Sequence, residues 1–244
     1  MPNLYIIAGC NGAGKTTMAN TLLPEMLNCT AFVNTGITLN GLSSSNPKRA
    51  VIEAGRITLN IIEQLLQRGG DFAVETSLAG KCYAGLVKKA QSAGYKVSLI
   101  FMWLNTPELA IQRVAGAGNK CAADEIITRM FMRGRYNLHS IYIPICDFYT
   151  IIITDRGKPD QMKTREAGQV TVAVDSSGLL VPAKSKLSPA NAALRDKILK
   201  GAQGAYKNLL TISAAKNQSL VVADEGGNIQ HILAAELMKK LSEN

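Results

Sequence analysis

The sequence predicts an α/β protein, with a parallel sheet of about five strands, helices on both faces and a small C-terminal α+β extension. Two observations predict this fold class. Short apolar runs alternate with helix-length segments up to Thr154, which is the pattern of right-handed βαβ units. The first apolar run leads into a glycine-rich turn that ends in Lys15-Thr16-Thr17. After Thr154 the pattern changes to hairpins and helices, which indicates the extension.

The glycine-rich turn fits a phosphate-binding loop at every fixed position. Its glycines allow the backbone to direct successive N–H groups at one phosphate, and the following helix adds the positive end of its dipole. Lys15 can reach the β- and γ-phosphates, and the Thr16 hydroxyl can bind Mg²⁺. We therefore expect a nucleoside triphosphate and Mg²⁺ here. The predicted nucleotide-binding residues are Gly9, Asn11, Gly12, Ala13, Gly14, Lys15, Thr16 and Thr17.

The elements after the loop follow from apolar spacing and from proline and glycine stop signals. In the first half we predict helix Thr16–Leu23, which stops at Pro24, strand Thr30–Asn34, a polar loop Thr35–Asn46, a helix from Pro47 to the glycines at 69 and 70, and strand Asp71–Glu75. The near-continuous apolar run Tyr95–Leu104 is typical of a strand buried on both faces. Around it we predict helix Lys81–Ala93, a helix from Pro107 to about Ala115, the basic helix Ala123–His139 and strand Phe148–Thr154.

Polar residues follow several of these strands where each strand ends. Parallel sheets bind ligands beyond the carboxyl ends of their strands. We therefore expect one crevice formed by Thr35, Gly36, Glu75, Asn105 and the loop Gly9–Thr16.

The C-terminal region carries no recognisable catalytic constellation. We predict a domain boundary near residue 185, giving domains 1–185 and 186–244. The predicted elements are a hairpin of Gln169–Val174 and Leu179–Val181, a linker Ala183–Pro189, helix Ala192–Leu210, strands Ser219–Ala223 and Asn228–Ile232, and helix Ala234–Leu241. Asp224 and Glu225 are expected to shape a turn and not to bind metal.

The composition indicates an ordinary globular protein in which 47% of residues are apolar. No apolar stretch is long enough to cross a bilayer, and the N-terminus lacks a signal-peptide pattern, so we expect a cytoplasmic protein without a membrane partner. Five scattered cysteines without a C-x-x-C pair predict neither a disulfide framework nor a zinc site. The net charge of +9 is spread over both halves, and aromatic residues make up only 5% of the chain, so nucleic-acid binding is not expected.

The residues around the loop favour a small-molecule kinase over other nucleotide-hydrolysing classes. The guanine-reading Asn-Lys-x-Asp pattern of GTPases is incomplete, because Asn119-Lys120 is followed by Cys121-Ala122. The long apolar strand ends in Asn105, where motor-type ATPases usually carry an acid. Glu75 is the acid at a strand end close to the loop. It can orient Mg²⁺ through water or bind a substrate hydroxyl.

Arginines before and within the basic helix suggest a lid over the γ-phosphate. Arg129 and Arg133 are four residues apart and share a helix face, and Arg113 precedes the glycine-containing segment 116–120. Such arginines would stabilise the charge on a transferring phosphoryl group. We assign phosphate contacts to Arg113 and Arg129, and we interpret Arg135 as part of a solvated basic face.

In combination these residues resemble the zeta-toxin-like kinases over roughly residues 3–155. The segments that carry the resemblance are Ile6–Thr17, Phe32–Asn34, Gly41–Ser43, Phe72–Leu78, Ala90–Leu104, Pro107–Ala110, Arg113-Val114 and Arg129–Leu138. The C-terminal helix and hairpin, with Asp224 to Gln230, also resemble an extension found on some bacterial members.

The resemblance implies a P-loop kinase-like fold and an ATP- and Mg²⁺-dependent phosphotransferase. Characterised zeta toxins phosphorylate the 3′-hydroxyl of UDP-N-acetylglucosamine and are held inactive by an antitoxin protein. By this resemblance Lys15 and Thr16 would bind ATP and Mg²⁺, with Thr16 as the metal residue. Glu75 would contact the sugar nucleotide, and Arg113 and Arg129 would contact the γ-phosphate.

The sequence departs from the family pattern at the catalytic base. The family places an Asp shortly after the second strand, and here Gly36 stands in that place, with no Asp or Glu between Glu25 and Glu53. Losing a general base typically lowers the rate by ~10²–10⁴-fold, although loose phosphoryl transfer depends more on positioning and charge. Two alternatives therefore stay open beside a weakened sugar-nucleotide kinase: a non-catalytic nucleotide-binding or interaction protein, and a polynucleotide kinase.

Overall fold

The computed structural model describes residues 1–40, 47–117, 123–155, 161–166, 172–174, 180–182, 187–224 and 226–242 of the 244-residue chain. Six strands form its central sheet: β1 (Asn3–Ala8), β2 (Ala31–Asn34), β3 (Phe72–Thr76), β4 (Lys96–Trp103), β5 (Phe148–Ile153) and β6 (Gln161–Glu166). Their order is β2-β3-β1-β4-β5-β6. The first five strands are parallel and β6 is antiparallel at one edge. The predicted five-stranded parallel sheet is confirmed, whereas β6 was not predicted.

Helices connect the parallel strands, as the alternation in the sequence indicates. They are α1 (Lys15–Met26), α2 (Thr35–Asn40), α3 (Pro47–Arg68), α4 (Cys82–Ser92), α5 (Pro107–Gly116), α6 (Asp124–Asn137), a π-helical segment Leu138–Tyr142 and the short α7 (Ile143–Ile145). Thr106 caps α5, because its side chain accepts a hydrogen bond from the Leu109 amide and Pro107 follows at the first helical position. No helix in the described part of the chain is long and apolar enough to span a membrane.

The sheet is buried on both faces, and alternate residues of β1 show this directly. Tyr5 and Ile7 pack in one core with α1, α5 and residues of α6, whereas Leu4, Ile6 and Ala8 pack in the other core with α3, α4 and the π-helical segment. A strand sends successive side chains to opposite faces, so an apolar run without alternation fits only a sheet that is covered twice. This burial fixes β1 in the centre of the sheet and directs its carboxyl end into the phosphate-binding loop.

The C-terminal region adds a further set of elements. They are a small hairpin of β7 (Val172–Val174) and β8 (Leu180–Pro182), then α8 (Pro189–Ala215), the antiparallel pair β9 (Ser219–Ala223) and β10 (Ile229–Leu233), and α9 (Ala234–Ser242). We call residues 189–242 the C-terminal module. The predicted helix, hairpin and helix of this module are confirmed, with α8 extending further at both ends than the sequence indicated.

The C-terminal module packs directly on the sheet layer, and α8 lies against α1. Ile198, Ala202 and Ala205 belong to the same core as the α1 side of β1. Gly201 meets Leu22 so closely that a β-carbon built at Gly201 would lie 2.6 Å from the Leu22 Cδ1 atom. Close approach of two helices requires small residues at the contact, and α8 supplies them at this spacing.

Two local predictions were wrong. Helix α1 does not stop at Pro24 but continues to Met26, with Pro24 in its last turn. A proline there removes one backbone hydrogen bond, and the packing of α1 against α8 and the sheet keeps the turn helical. The region predicted as a polar loop begins with helix α2, whose start is stabilised by hydrogen bonds from the Gly36 amide and the Thr38 hydroxyl to Asn34.

Several predicted segments lie outside the described residues: 41–46, 118–122, 167–171, 183–186 and Glu225. The domain boundary proposed near residue 185 is among them, and it stays a prediction. Asp224 shapes the β9–β10 turn as expected, because its carboxylate accepts hydrogen bonds from the backbone and side chain of Asn228 and from the Gln230 side chain.

Candidate nucleotide-binding site

The phosphate-binding loop joins β1 to α1 and has a backbone that only glycine can adopt easily. Gly12 and Gly14 have φ angles of +80° and +89°, in the left-handed region. Gly12 also lies against α5, and a β-carbon built there would lie 2.7 Å from the Ala110 carbonyl oxygen. The sequence therefore folds into a compact turn directly before α1, and the first amides of a helix have no partner within the helix, which suits an anion.

The Lys15 ammonium is held inside this loop. Its Nζ atom donates a hydrogen bond to the Cys10 carbonyl oxygen at 3.0 Å and lies 3.8 Å from Glu75 Oε1. Burial lowers the pKa of Lys15, and the nearby Glu75 carboxylate opposes that shift. A buried ammonium with a single carboxylate neighbour gains from further negative charge, which a phosphate group would supply.

Glu75 is bound by residues from two neighbouring elements. Its Oε2 atom accepts hydrogen bonds from the Thr16 hydroxyl at 2.8 Å and from the Asn34 side-chain amide at 2.7 Å. The parallel register explains the meeting, because Glu75 of β3 pairs with Ile7 of β1 on one side and with Asn34 of β2 on the other. Asn34 was missed as a site residue, although a polar residue at the last position of β2 was a usable signal.

These residues fit a bound Mg²⁺. Hard cations of this size prefer oxygen ligands and are usually held by one or two protein oxygens together with substrate phosphates and water. The Thr16 hydroxyl and the Glu75 carboxylate are two such groups, already 2.8 Å apart. No group of three His, Cys, Asp or Glu residues gathers anywhere in the described ranges, so a metal at the loop would depend on these oxygens and on phosphate.

The other predicted loop residues lie in the same turn. The Gly9 amide donates to the Thr76 carbonyl oxygen at 3.2 Å, which ties the start of the loop to β3. Ala13 is buried, Asn11 is half-buried, and Thr17 is exposed in the first turn of α1. Their individual contacts with phosphate stay predictions.

Cys10 lies within the loop, and its thiol is buried. Burial raises the pKa of Cys10 to about 11, against the opposing charges of Lys15, Arg113 and Arg135. A neutral thiol is a poor nucleophile and a poor metal ligand. Cys10 therefore acts as a small buried residue of the loop.

Arg113 lies beside the loop, but its guanidinium is bound to main-chain oxygens. Nε donates to the Val221 carbonyl at 2.9 Å, and Nη2 donates to the carbonyls of Thr154 at 2.7 Å and Asp155 at 3.0 Å. Burial lowers the pKa of Arg113, and Asp155 is the largest opposing influence. Arg113 therefore joins α5, the end of β5 and the C-terminal module. A γ-phosphate contact by Arg113 stays a prediction.

The arginines of α6 differ in their surroundings. Arg129 is exposed, and its phosphate contact also stays a prediction. The interpretation of Arg135 as part of a solvated face was wrong. Its guanidinium lies 3.8 Å from the centroid of the Trp103 ring and donates to the Asn105 carbonyl oxygen at 3.2 Å. An apolar strand end with a tryptophan provides a surface for a guanidinium to stack on, which the helix spacing alone did not reveal.

Asn105 follows the end of β4 by two residues, and its polar groups are bound by Trp103, Arg135 and Asp155. Its side chain accepts a hydrogen bond from the Trp103 indole at 2.9 Å, and its amide donates to Asp155 Oδ1 at 2.9 Å. The other Asp155 oxygen is buried and has no partner within the described residues, and burial raises the pKa of Asp155. The expected crevice thus has two parts, with Glu75 and Asn34 on the β3 side and Asn105 and Asp155 on the β4–β5 side.

The order of the parallel strands and the loop after β1 define a P-loop kinase-like fold, and solved structures share it. A chain from the PezAT toxin–antitoxin system of Streptococcus pneumoniae superposes with a TM-score of 0.54 at 15% identity, covering 86% of this chain and 88% of that one. A chain from the AvrRxo1-ORF1:ORF2 complex with ATP gives a TM-score of 0.52 at 16% identity, covering 82% and 64%. At these identities the likeness establishes the fold.

The sequence comparisons match proteins whose activity is not described. A family model described as a domain of unknown function (DUF8506) matches residues 189–243, which contain the C-terminal module. An uncharacterised protein of Haemophilus influenzae is 23% identical over 122 residues, which is 49% of this chain and 85% of that protein.

Proposed function

We propose that this chain is an ATP- and Mg²⁺-dependent phosphotransferase of the zeta-toxin type, which phosphorylates a hydroxyl of a sugar nucleotide such as UDP-N-acetylglucosamine. The observation that carries the proposal is the linked set of Lys15, Thr16 and Glu75 at the carboxyl edge of the sheet. A structural loop needs neither a buried ammonium nor a hydroxyl held by a carboxylate. In P-loop enzymes that transfer phosphoryl groups, a lysine contacts the phosphates and a hydroxyl together with a carboxylate holds Mg²⁺.

In this proposal, residues at different positions in the site bind the phosphates, the metal and the acceptor. The loop amides and the first turn of α1 bind the phosphates, and Lys15 exchanges its bond to the Cys10 carbonyl for a phosphate oxygen. Thr16 and Glu75 hold Mg²⁺, which neutralises charge on the phosphates when it is bound. The acceptor hydroxyl approaches from the β2–β3 side, where Asn34 and Glu75 offer polar groups.

The test is transfer of the γ-phosphoryl group from ATP to UDP-N-acetylglucosamine, followed by mass spectrometry of the nucleotide product. We expect product with the native protein and none above background with Lys15→Ala. Lys88→Ala is the matched control, since Lys88 is an exposed lysine on α4, and it should leave the rate unchanged. Equal product from the native protein and Lys15→Ala would contradict the proposal.

A second candidate function, a non-catalytic nucleotide-binding protein, is supported by Gly36. This residue lies in α2, and its amide donates to the Asn34 side chain at 2.8 Å. Within the described residues, a β-carbon at Gly36 would meet Asn34 Oδ1 at 3.1 Å, so the Asn34 side chain would have to move by a few tenths of an ångström to admit a side chain there. If the native protein transfers no phosphate while Gly36→Asp gains measurable transfer, the chain is a kinase scaffold without its base. Transfer by the native protein excludes this candidate.

A protein partner is a separate proposal. One of the two solved structures named above is described as part of a toxin–antitoxin system, and the other as AvrRxo1-ORF1 with ORF2. We propose that this chain is likewise controlled by an antitoxin protein. The test is co-expression with the product of the adjacent reading frame, which should co-purify with the chain and suppress the transfer reaction. A product that neither co-purifies nor suppresses transfer would contradict this proposal.

A further inference from the structure

The C-terminal module forms one wall of a cavity of about 630 Å³ beside the phosphate-binding loop. The opposite wall is residues 12–18 of the loop and α1, and α5 contributes Arg113 and Val114. From the module, α8 contributes small and aliphatic residues and one aromatic ring, Tyr206, and β9 contributes residues 219–222. The cavity is therefore continuous with the loop that we propose binds triphosphate.

The position of this cavity in the sheet indicates which part of a nucleotide it would hold. Thr16 and Glu75, the proposed metal residues, lie toward β3, on one side of β1. The cavity begins at Lys15 and Thr16 and extends to the other side of β1, where Met102 of β4 and Thr154 after β5 line it. A triphosphate with its terminal groups at the metal residues would direct its nucleoside into the cavity.

The edge of β9 opposite β10 has no strand partner within the described residues, and Ser219 and Val221 on that edge line the cavity. Two backbone hydrogen bonds mark the ends of the β9–β10 hairpin: the Asp224 amide donates to the Asn228 carbonyl, and the Ala234 amide donates to the Gln218 carbonyl. The backbone N–H and C=O groups of the even-numbered residues of β9 therefore point toward β10. The direction of the backbone N–H and C=O groups alternates from one residue to the next along a strand. The backbone groups of the odd-numbered residues of β9 therefore point away from β10, toward the sheet layer. Two of their groups confirm this, since the Val221 carbonyl accepts from Arg113 and the Ala223 amide donates to the Asp155 carbonyl.

On this edge of β9, one backbone N–H group and one backbone carbonyl stay available to a ligand. Within the described residues, the Val221 amide and the Ser219 carbonyl have no hydrogen-bond partner, and both residues line the cavity. A carbonyl and an amide two residues apart on one strand edge complement the amino group and ring nitrogen N1 of adenine. Guanine in the same pose would place an acceptor against the carbonyl and a donor against the amide, which is unfavourable.

We propose that the C-terminal module completes the nucleotide site: it encloses the adenine base, β9 reads the edge of the base, and the Tyr206 ring packs on its face. This inference rests on the proposed triphosphate binding at the loop. It gives the module a function in base selection and not only in packing. Tyr206 is half-buried and is the aromatic ring among the described lining residues, and aromatic rings stack readily on any base.

The test compares Mg²⁺-ATP, Mg²⁺-GTP and Mg²⁺-tripolyphosphate by titration of the full chain. We expect ATP to bind at least about tenfold more tightly than tripolyphosphate, from stacking and two base hydrogen bonds, and more tightly than GTP. Tyr206→Ala should weaken ATP binding by about fivefold or more without changing tripolyphosphate binding. Tyr206→Phe keeps the ring and should bind ATP like the native protein.

Two outcomes separate this inference from the proposed function. If tripolyphosphate binds and neither the base nor Tyr206→Ala changes the affinity, the base-site inference is overturned while the loop proposal stands. If none of the three ligands binds the native protein, the triphosphate proposal itself fails, and the inference fails with it. The comparison of ligands on the native protein needs no variant, so misfolding of Tyr206→Ala would not prevent a decision.

Discussion

Individual residues in the loop are constrained by both backbone conformation and space. Gly12 combines a φ of +80° with a contact that would place a β-carbon 2.7 Å from the Ala110 carbonyl oxygen. An L side chain is strained in that conformation, and the backbone of α5 cannot move aside like a flexible side chain.

We therefore predict that Gly12→Ala lowers the free energy of unfolding by about 1–3 kcal/mol and weakens triphosphate binding. Gly85→Ala is the control, because Gly85 is exposed within α4 and a β-carbon there meets nothing within 4 Å. That change should stabilise the protein by about 0.5–1 kcal/mol. Urea unfolding measures both, and equal effects of the two substitutions would contradict the role of Gly12.

A second residue-scale prediction concerns His139. Its ring packs edge-on against Trp103, and its Nδ1 atom is buried without a partner in the described residues. Burial and then the charge of Arg135 lower the pKa of His139. Folding therefore favours the neutral His139 ring. The free energy of unfolding keeps this contribution at pH values above the unfolded-state pKa of about 6.5. The contribution is lost as pH falls through the lower pKa of the folded state.

We expect His139→Gln to reduce the loss of stability as pH falls from about 6.5, the unfolded-state pKa, through the lowered folded-state pKa. The chain has two histidines, and the other, His231, is exposed on β10. His231→Gln should keep the native pH dependence. Urea midpoints measured across this range decide the matter, and an unchanged slope in His139→Gln would contradict the assignment.

At the scale of elements, the contact between α1 and α8 includes a close approach of Gly201 to Leu22. Gly201→Ala would place a β-carbon 2.6 Å from Leu22 Cδ1 and 3.2 Å from the Leu22 backbone. We predict a loss of about 1–3 kcal/mol in unfolding free energy, as for other overpacked contacts. Gly204→Ala, one turn further along, would make only an ordinary 3.5 Å contact with Thr21. It should be neutral or stabilising, and a comparable loss for Gly204→Ala would mean that the close contact is not the cause.

Elements with strong local signals were predictable from the sequence, and those that depend on tertiary packing were not. The buried strand β4 and the capped helix α5 were found because apolar runs and Thr106-Pro107 carry the information locally. Strand β6 was missed because an edge strand is specified by its neighbour β5. The end of α1 was misplaced because Pro24 is tolerated only through contacts with α8 and the sheet.

In the candidate site, too, residues with a local sequence signal were predictable, and contacts that depend on tertiary packing were not. The loop, Lys15, Thr16 and Glu75 follow from a fixed local spacing and a strand end, and the structure brings them together. The environment of Arg135 depends on Trp103, 32 positions earlier in the chain, and the interaction of Arg113 with the C-terminal module joins residues more than a hundred positions apart. No local pattern encodes such contacts.

At the scale of the whole molecule, the C-terminal module shares its core with the sheet layer. Ile198, Ala202 and Ala205 pack in the same cluster as Tyr5 and Ile7. We therefore predict one cooperative unfolding transition. The fluorescence of Trp103, the only tryptophan, and the far-ultraviolet circular dichroism of the whole chain should give the same urea midpoint. Two separated midpoints would show that the module unfolds independently.

The central claim is that the loop between β1 and α1 binds a triphosphate through Lys15. The most direct measurement is calorimetric titration of the native protein, Lys15→Ala and Lys88→Ala with Mg²⁺-ATP. The account predicts micromolar affinity for the native protein and Lys88→Ala, and no measurable binding for Lys15→Ala. Absence of ATP binding by the folded native protein, or native affinity in Lys15→Ala, would contradict it.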